Sequence, residues 1–160
     1  AVPGCYASGF ISMVSPLVKS GVLPKDYPVS VHAVSGYSGA GKRGISQYND
    51  INRSKEFDTP REYALTQQHK HLPEMRVISG LDHEPTFNPY VCPYYAGMTV
   101  SLPLHTRLLL KRVTPADVRE MFAEHYKGCN FIKVAELDGK DVLPDGFIGA
   151  NTLEGRRMIV

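Results

Sequence analysis

Cysteine is scarce in this chain: three in 160 residues, at Cys5, Cys92 and Cys129, odd in number and widely spaced. That argues against a disulfide framework, and the lack of any CxxC pair removes the usual zinc spacings. Cys92 and Cys129 read as small apolar residues in or near the core, since free cysteine is among the most buried residue types. Long apolar runs are missing as well. Nothing approaches the roughly 18 consecutive apolar residues of a membrane span, and no charged segment followed by an apolar one opens the chain as a secretion signal would. Net charge is only +2, with Lys and Arg scattered, so neither nucleic acid nor an anionic membrane is the expected partner. A reducing cytoplasm suits this composition. With 42% hydrophobic and 21% charged residues, the remainder is ordinary for one globular domain long enough to bury a core. The chain starts at Ala1 with Cys5 close behind, and reads as a domain excised from a longer protein.

Apolar spacing gives the first element. Phe10, Met13, Val14, Leu17 and Val18 make one stripe of a helix over 6–20, with Gly21 and Pro24 as stop signals and Pro16 as a conflict inside it. Val29, Val31 and Ala33 alternate with polar residues and predict a strand, which runs into the small-residue loop Ser35 to Lys42. From 47 to 68 the chain is polar and weakly periodic; a short helix near 44–50 is expected, and otherwise a mobile insertion. Residues 75–81 read as a strand. Met98, Val100, Leu102 and Leu104 alternate as another, with Pro103 marking an edge. Thr114, Pro115 and Gly128 bound a helix over 115–127 whose inner face is Val118, Met121, Phe122 and His125. Phe131, Ile132 and Val134 suggest a strand, and Met158 to Val160 a last one. The order predicts an α+β fold, one mixed or antiparallel sheet with helices on one face, forming a single domain over 1–160.

Three constellations carry chemical potential. Pro3-Gly4-Cys5 lies directly ahead of the first helix, where unpaired N–H groups and the positive end of the dipole favour thiolate. A bland buried cysteine is the competing reading. His69-Lys70-His71-Leu72-Pro73-Glu74 places two imidazoles at i and i+2, on one side if the segment is extended. One suits acid–base work and the other a substrate contact. Metal binding competes, but the other ligand-type residues show no recognised spacing, and no metal is expected. The loop Gly36 to Arg43 nearly matches GxxxxGK[ST], yet Arg43 stands where the Mg²⁺-binding hydroxyl belongs, and no convincing helix follows. Gly39, Gly41 and Gly44 also spell GxGxxG without the second strand and acid of a dinucleotide fold. What survives is a loop of accessible N–H groups with hydroxyls at Ser35 and Ser38, suited to an anion.

In this order and at these separations PGCYASGF, VSGYSGAGK and HKHLPEM resemble the N-acetyl-gamma-glutamyl-phosphate reductases of arginine biosynthesis, in their shorter-chain form. The later AGMTVSLPLH and EHYKG segments extend the likeness over nearly the whole chain; Val2 departs from the Asn more often found before Pro-Gly-Cys. The resemblance implies the α+β catalytic and dimerisation domain of a glyceraldehyde-3-phosphate-dehydrogenase-like enzyme, without its NADPH-binding Rossmann domain. It implies that Cys5 attacks an acyl phosphate to form a thioester, which hydride from NADPH then reduces to the semialdehyde. His71 is implied as acid/base, with His69 as the alternative or as a substrate contact beside Ser35 and Glu74. Ser38, Gly39 and Gly41 would border the cofactor. The implied assembly is a homodimer or homotetramer.

Other readings remain open: a nucleotide switch on the near-phosphate loop, a Cys/His hydrolase in which water replaces hydride, a related semialdehyde dehydrogenase of different acyl substrate, or a non-catalytic dimerisation fragment. The chain by itself is expected not to reduce substrate with NADPH while keeping a reactive Cys5.

Overall fold

The computed structural model describes residues 2–139, 145–153 and 158–160. Its first helix, α1 (Cys5–Lys19), follows the apolar stripe: Phe10, Val14 and Leu17 are fully buried. Pro16 stays inside it without breaking it. A proline supplies no N–H, so the carbonyl of Ser12, four residues earlier, loses its helical donor. Tyr126 replaces that donor, its hydroxyl donating to the Ser12 carbonyl at 2.6 Å. The repair comes from 114 residues away.

Strand β1 (Ser30–Gly36) lies between β3 (Thr86–Cys92), which is parallel to it, and β4 (Met98–Ser101), which is antiparallel. The two-residue β2 (Arg61–Glu62) closes the far edge antiparallel to β3, giving the order β2-β3-β1-β4. The sheet is mixed, and β4 is an edge as Pro103 suggested. Val31 and Ala33 of β1 pair in register with Phe87 and Pro89 of β3, and these four are buried, whereas His32 and its partner Ser101 are exposed. Helices α1 and α3 (His71–Ser79) cover the buried face with Phe10, Val14, Leu72 and Met75. The fold is therefore α+β, a mixed sheet with helices on one face.

Several local expectations change. Residues 75–81 are not a strand: they finish α3, which Gly80 terminates at φ +79°. The β-branched pair Val77-Ile78 simulated a strand, but both side chains are exposed while Leu72, Met75 and Ser79 are buried at helical spacing. Pro73 fits the first turn, where its missing N–H costs nothing. The strand that does exist there, β3, is hidden by Pro89. That proline's carbonyl faces β2 and accepts from Tyr63 N at 3.2 Å, so its nitrogen also faces that side and the β1 ladder keeps its bonds. β4 stops at Ser101, short of the alternation that runs on to Leu104.

A helix does follow the glycine loop: α2 (Gly41–Asn49) begins inside it. Between 47 and 68 the chain forms the end of α2, a 3-10 turn at Lys55–Asp58 and β2. Helix α4 (Pro115–His125) is capped by Thr114 and Asp117 in reciprocal hydrogen bonds, as its sequence suggests. His125, expected on its inner face, is exposed. The last strands are β5 (Ile132–Lys133) and β6 (Met158–Ile159), and the expected single sheet becomes two, because these pair in parallel with each other and not with the main sheet. Arg119 of α4 binds the Ala135 carbonyl at 3.1 Å and Glu136 at 2.8 Å, tying this small sheet to α4.

The proline repair makes a checkable claim. Tyr126→Phe leaves a helix carbonyl without its donor and should cost about 1–3 kcal/mol in urea unfolding, whereas Tyr126→Phe combined with Pro16→Ala should recover most of that loss.

Candidate active site

Cys5 is the first residue of α1 and its side chain is exposed. No acidic residue occupies the first turn of that helix, and the cap residue Gly4 offers no side chain, so the free N–H groups and the dipole at this end are uncompensated by the helix itself. Compensation arrives from α3. The Glu74 carboxylate accepts the Gly4 N–H at 2.9 Å. His71, one turn earlier, packs so tightly on the same glycine that a Cβ there would stand 1.8 Å from its Nε2. Only glycine admits the imidazole. Glu74 thus holds the turn that carries Cys5, which is a different task from the substrate contact expected of it.

The two imidazoles do lie together, though not through an extended segment. His71 opens α3, and its backbone N–H donates to His69 Nδ1 at 3.2 Å; the ring centroids are 4.5 Å apart. Because Nδ1 of His69 accepts, its neutral form carries the proton on Nε2. His71 is 5% exposed, and its buried Nδ1 has no hydrogen-bond partner among the described residues. Burial is the main cause that lowers the pKa of both histidines below the ordinary 6.5; His69 lowers His71 further, and Glu74 opposes the shift in each. No hydrogen bond joins Cys5 to either imidazole in this structure.

Cys5, Gly4, His69, His71 and Ser35 line one cavity of about 510 Å³. The Ser35 hydroxyl is already engaged with Tyr6 Oη at 2.6 Å. Burial raises the pKa of Tyr6 and of Tyr63, which also lines the cavity, so both are neutral hydrogen-bonding groups at neutral pH. Of the residues expected to border a cofactor, only Gly39 lines this cavity; Ser38 and Gly41 do not. The loop is also no open nest of amides: the N–H groups of Gly36, Tyr37 and Ser38 donate to the carbonyls of Gly97, Tyr94 and Tyr95, each at 2.9 Å. Strand, glycine turn and helix α2 stand in the order of a phosphate loop, but Arg43 still brings no hydroxyl. Cys92 is buried as expected, and burial raises its pKa. Cys129 is exposed, contrary to expectation, because it lies past the end of α4 after Gly128. Among the described residues, no group of three His, Cys, Asp or Glu is placed to hold a metal ion, and no helix is long and apolar enough to cross a membrane.

Sequence reasoning missed Gln47, Tyr48, Arg61 and Tyr63, all of which line the cavity. The available signal was three aromatics (Tyr48, Phe57, Tyr63) in an otherwise polar stretch.

The lowered histidines set a sign for pH effects. Below 6.5 the unfolded imidazoles take protons that the folded ones refuse, so folding stability falls as pH drops from about 6.5 through the folded pKa values. His71→Gln should flatten that fall in urea unfolding measured between pH 7 and 5. Both wild-type imidazoles should titrate below 6.5 by NMR.

The family model described as semialdehyde dehydrogenase, dimerisation domain, matches residues 5–154. N-acetyl-gamma-glutamyl-phosphate reductases from Rhizobium meliloti (strain 1021) and Brucella ovis are each 40% identical to this chain, over 86% and 98% of its length and over 45% and 50% of theirs. A reductase of the same name from Pseudomonas putida, numbered 2, is 36% identical over 94% of this chain and 49% of its own. The chain therefore spans about half the length of these relatives. Aspartate semialdehyde dehydrogenase from Francisella tularensis superimposes with a TM-score of 0.59 over 93% of this chain and 51% of that one, at 11% identity, a likeness of fold alone. By the match that covers nearly all of its residues, the chain belongs to the semialdehyde dehydrogenase dimerisation-domain family.

Proposed function

We propose that this chain supplies the thiol and the acid–base group of an NADPH-dependent N-acetyl-gamma-glutamyl-phosphate reductase acting in arginine biosynthesis. One observation carries the reading: an exposed cysteine at a helix N-terminus sits next to a glycine against which a buried, neutral histidine is packed, in a cavity of about 510 Å³. The relatives that share this chain at 36–40% identity bear that enzyme's name.

In this reading the Cys5 thiolate attacks the acyl carbonyl; a C–S bond forms, the C–O bond to phosphate breaks, and inorganic phosphate leaves. A reduced nicotinamide, when bound, supplies hydride to the same carbon. The cavity wall fits the ring end of such a cofactor: Gly39 carries no side chain, a Cβ there would meet nothing within 4 Å, and Ala40 and Gly44 continue the wall. His71 takes the thiol proton as the Cys5 thiolate forms, donates it to the oxygen that gains charge on hydride transfer, and takes it back as the C–S bond breaks, releasing aldehyde and thiolate. Its lowered pKa suits the return step, because a neutral imidazole is ready to accept. His69, with its proton on Nε2, offers a donor to a substrate oxygen. Arg61 and Lys70 supply the positive charge along this cavity and Glu62 the negative. The family's description also favours assembly with a second copy of the chain, as a homodimer or homotetramer. Three free thiols suit a reducing cytoplasm.

Brief iodoacetamide treatment near neutral pH should label Cys5 well ahead of Cys129. Since both are exposed, access alone cannot produce the difference. Acyl phosphate should release one equivalent of inorganic phosphate per chain and leave an acyl adduct on the Cys5 peptide, absent from Cys5→Ser. Gly4→Ala, which displaces His71, should slow that acylation by about 10²-fold. Equal labelling of Cys5 and Cys129 together with no acyl adduct would refute the reading.

A further inference from the structure

The chain between β2 and α3 leaves the edge of the sheet at residue 64 and arrives at the cavity with His69, and burial does little to order it on the way. Leu65 is 73% exposed, and Thr66, Gln67 and Gln68 are exposed as well. Ala64 and Gln67 both stand in the left-handed region, at φ +56° and +57°, which L side chains disfavour. A backbone held against its preference persists only where other contacts over-determine it.

Gln67 supplies such a contact. β2 pairs only with Tyr90 and Val91 of β3, and Tyr63 extends the pairing to the Pro89 carbonyl. Backbone groups two residues apart on a strand face the same side, and the intervening ones face the other; Thr86 accordingly donates to the Val29 carbonyl on the β1 side. The N–H and C=O of Phe87 therefore face the edge that β2 leaves open. The Gln67 amide takes both: its Nε2 donates to the Phe87 carbonyl at 2.9 Å, and its Oε1 accepts the Phe87 N–H at 2.8 Å. One side chain stands in for a strand residue. The ring of the same Phe87 is buried and lies 5.3 Å from the His69 ring, centroid to centroid, while Tyr63, where the loop begins, meets His69 at 5.8 Å.

We propose that Gln67 is a positioning residue: by clamping its loop to the backbone of Phe87, it holds the His69 imidazole where Nε2–H can reach a substrate oxygen. The proposal rests on the reading of Cys5 as the acyl acceptor and of His69 as a substrate contact. Gln67 itself does not line the cavity, so it acts through His69 and not on substrate.

Gln67→Met keeps the length of the side chain and removes both hydrogen bonds. At about pH 8, above the lowered pKa of His69, the wild-type ring should show two widely separated nitrogen resonances, as a single neutral tautomer requires. In Gln67→Met they should draw together, because the ring no longer keeps Nδ1 on the His71 N–H. The acyl phosphate concentration for half-maximal acylation of Cys5 should rise about tenfold in Gln67→Met, with the limiting rate within about twofold of wild type. In a His69→Gln background the same substitution should add less than about twofold, since a residue that acts through His69 has nothing left to act on. Iodoacetamide should label Cys5 at the wild-type rate in Gln67→Met, which shows that the junction at Gly4 is intact. Resonances that stay separated in Gln67→Met, or a loss that persists undiminished in the His69→Gln background, overturn the assignment. Failure of the underlying reading looks different: wild-type Cys5 then takes up no acyl group, while the nitrogen resonances still report whether the clamp holds the ring.

Discussion

Two helix beginnings meet at Gly4, and the geometry of the cavity depends on how closely they do so. α1 starts there without a capping side chain, and α3 starts at His71 with its own free N–H groups. Two positive helix ends brought together repel unless an anion lies between them. Glu74 is that anion: it sits in the first turn of α3 and accepts the N–H of the α1 cap. The same contact fixes how far the imidazole of His71 can advance, and it advances until only a hydrogen atom fits on the facing α-carbon. Burial there, at the positive end of a helix, disfavours imidazolium. A neutral histidine and an exposed thiol therefore come to neighbouring positions as a consequence of helix packing.

The rest of the fold serves that junction. α1 and α3 hold their relative position because both bury their apolar stripes against Val31, Ala33 and Phe87 of the sheet. α1 keeps its line through Pro16 because Tyr126 restores the missing donor. On the other side of the cavity, the chain from Tyr48 to Arg61 is organised by faces and edges of aromatic rings. Aromatic contacts of this kind are worth about 0.5–1.5 kcal/mol each beyond their burial, enough to order a polar stretch that has few apolar residues of its own.

Legibility in the sequence followed the range of the interactions. α1 and α4 were readable because their signals are local: an apolar stripe, a Thr–Asp box, a proline at the first helical position. α3 was misread because Val77 and Ile78 are exposed, which the sequence does not disclose, and β3 was missed because Pro89 is harmless only when its nitrogen faces the side that β2 has left. At the site, Cys5, His69 and His71 line one cavity, while in the loop from Ser35 to Lys42, expected to offer accessible N–H groups, those of Gly36, Tyr37 and Ser38 are spent on carbonyls nearly 60 residues on. Glu74, expected as a substrate contact, holds the Gly4 N–H, a contact across 70 residues that no local pattern announces.

Residue types and short spacings were sufficient to determine the class of the fold, the cysteine at a helix start and the pair of histidines, because each depends on neighbours within a turn or two of the chain. Tertiary structure alone decided that Gly4 and His71 must touch, that Ser35 is occupied by Tyr6, and that Tyr48 and Arg61 face the same cavity as Cys5. These are contacts between residues tens of positions apart. They exist only where packing of the core brings the elements together, and no local pattern encodes which side chain will be opposite which.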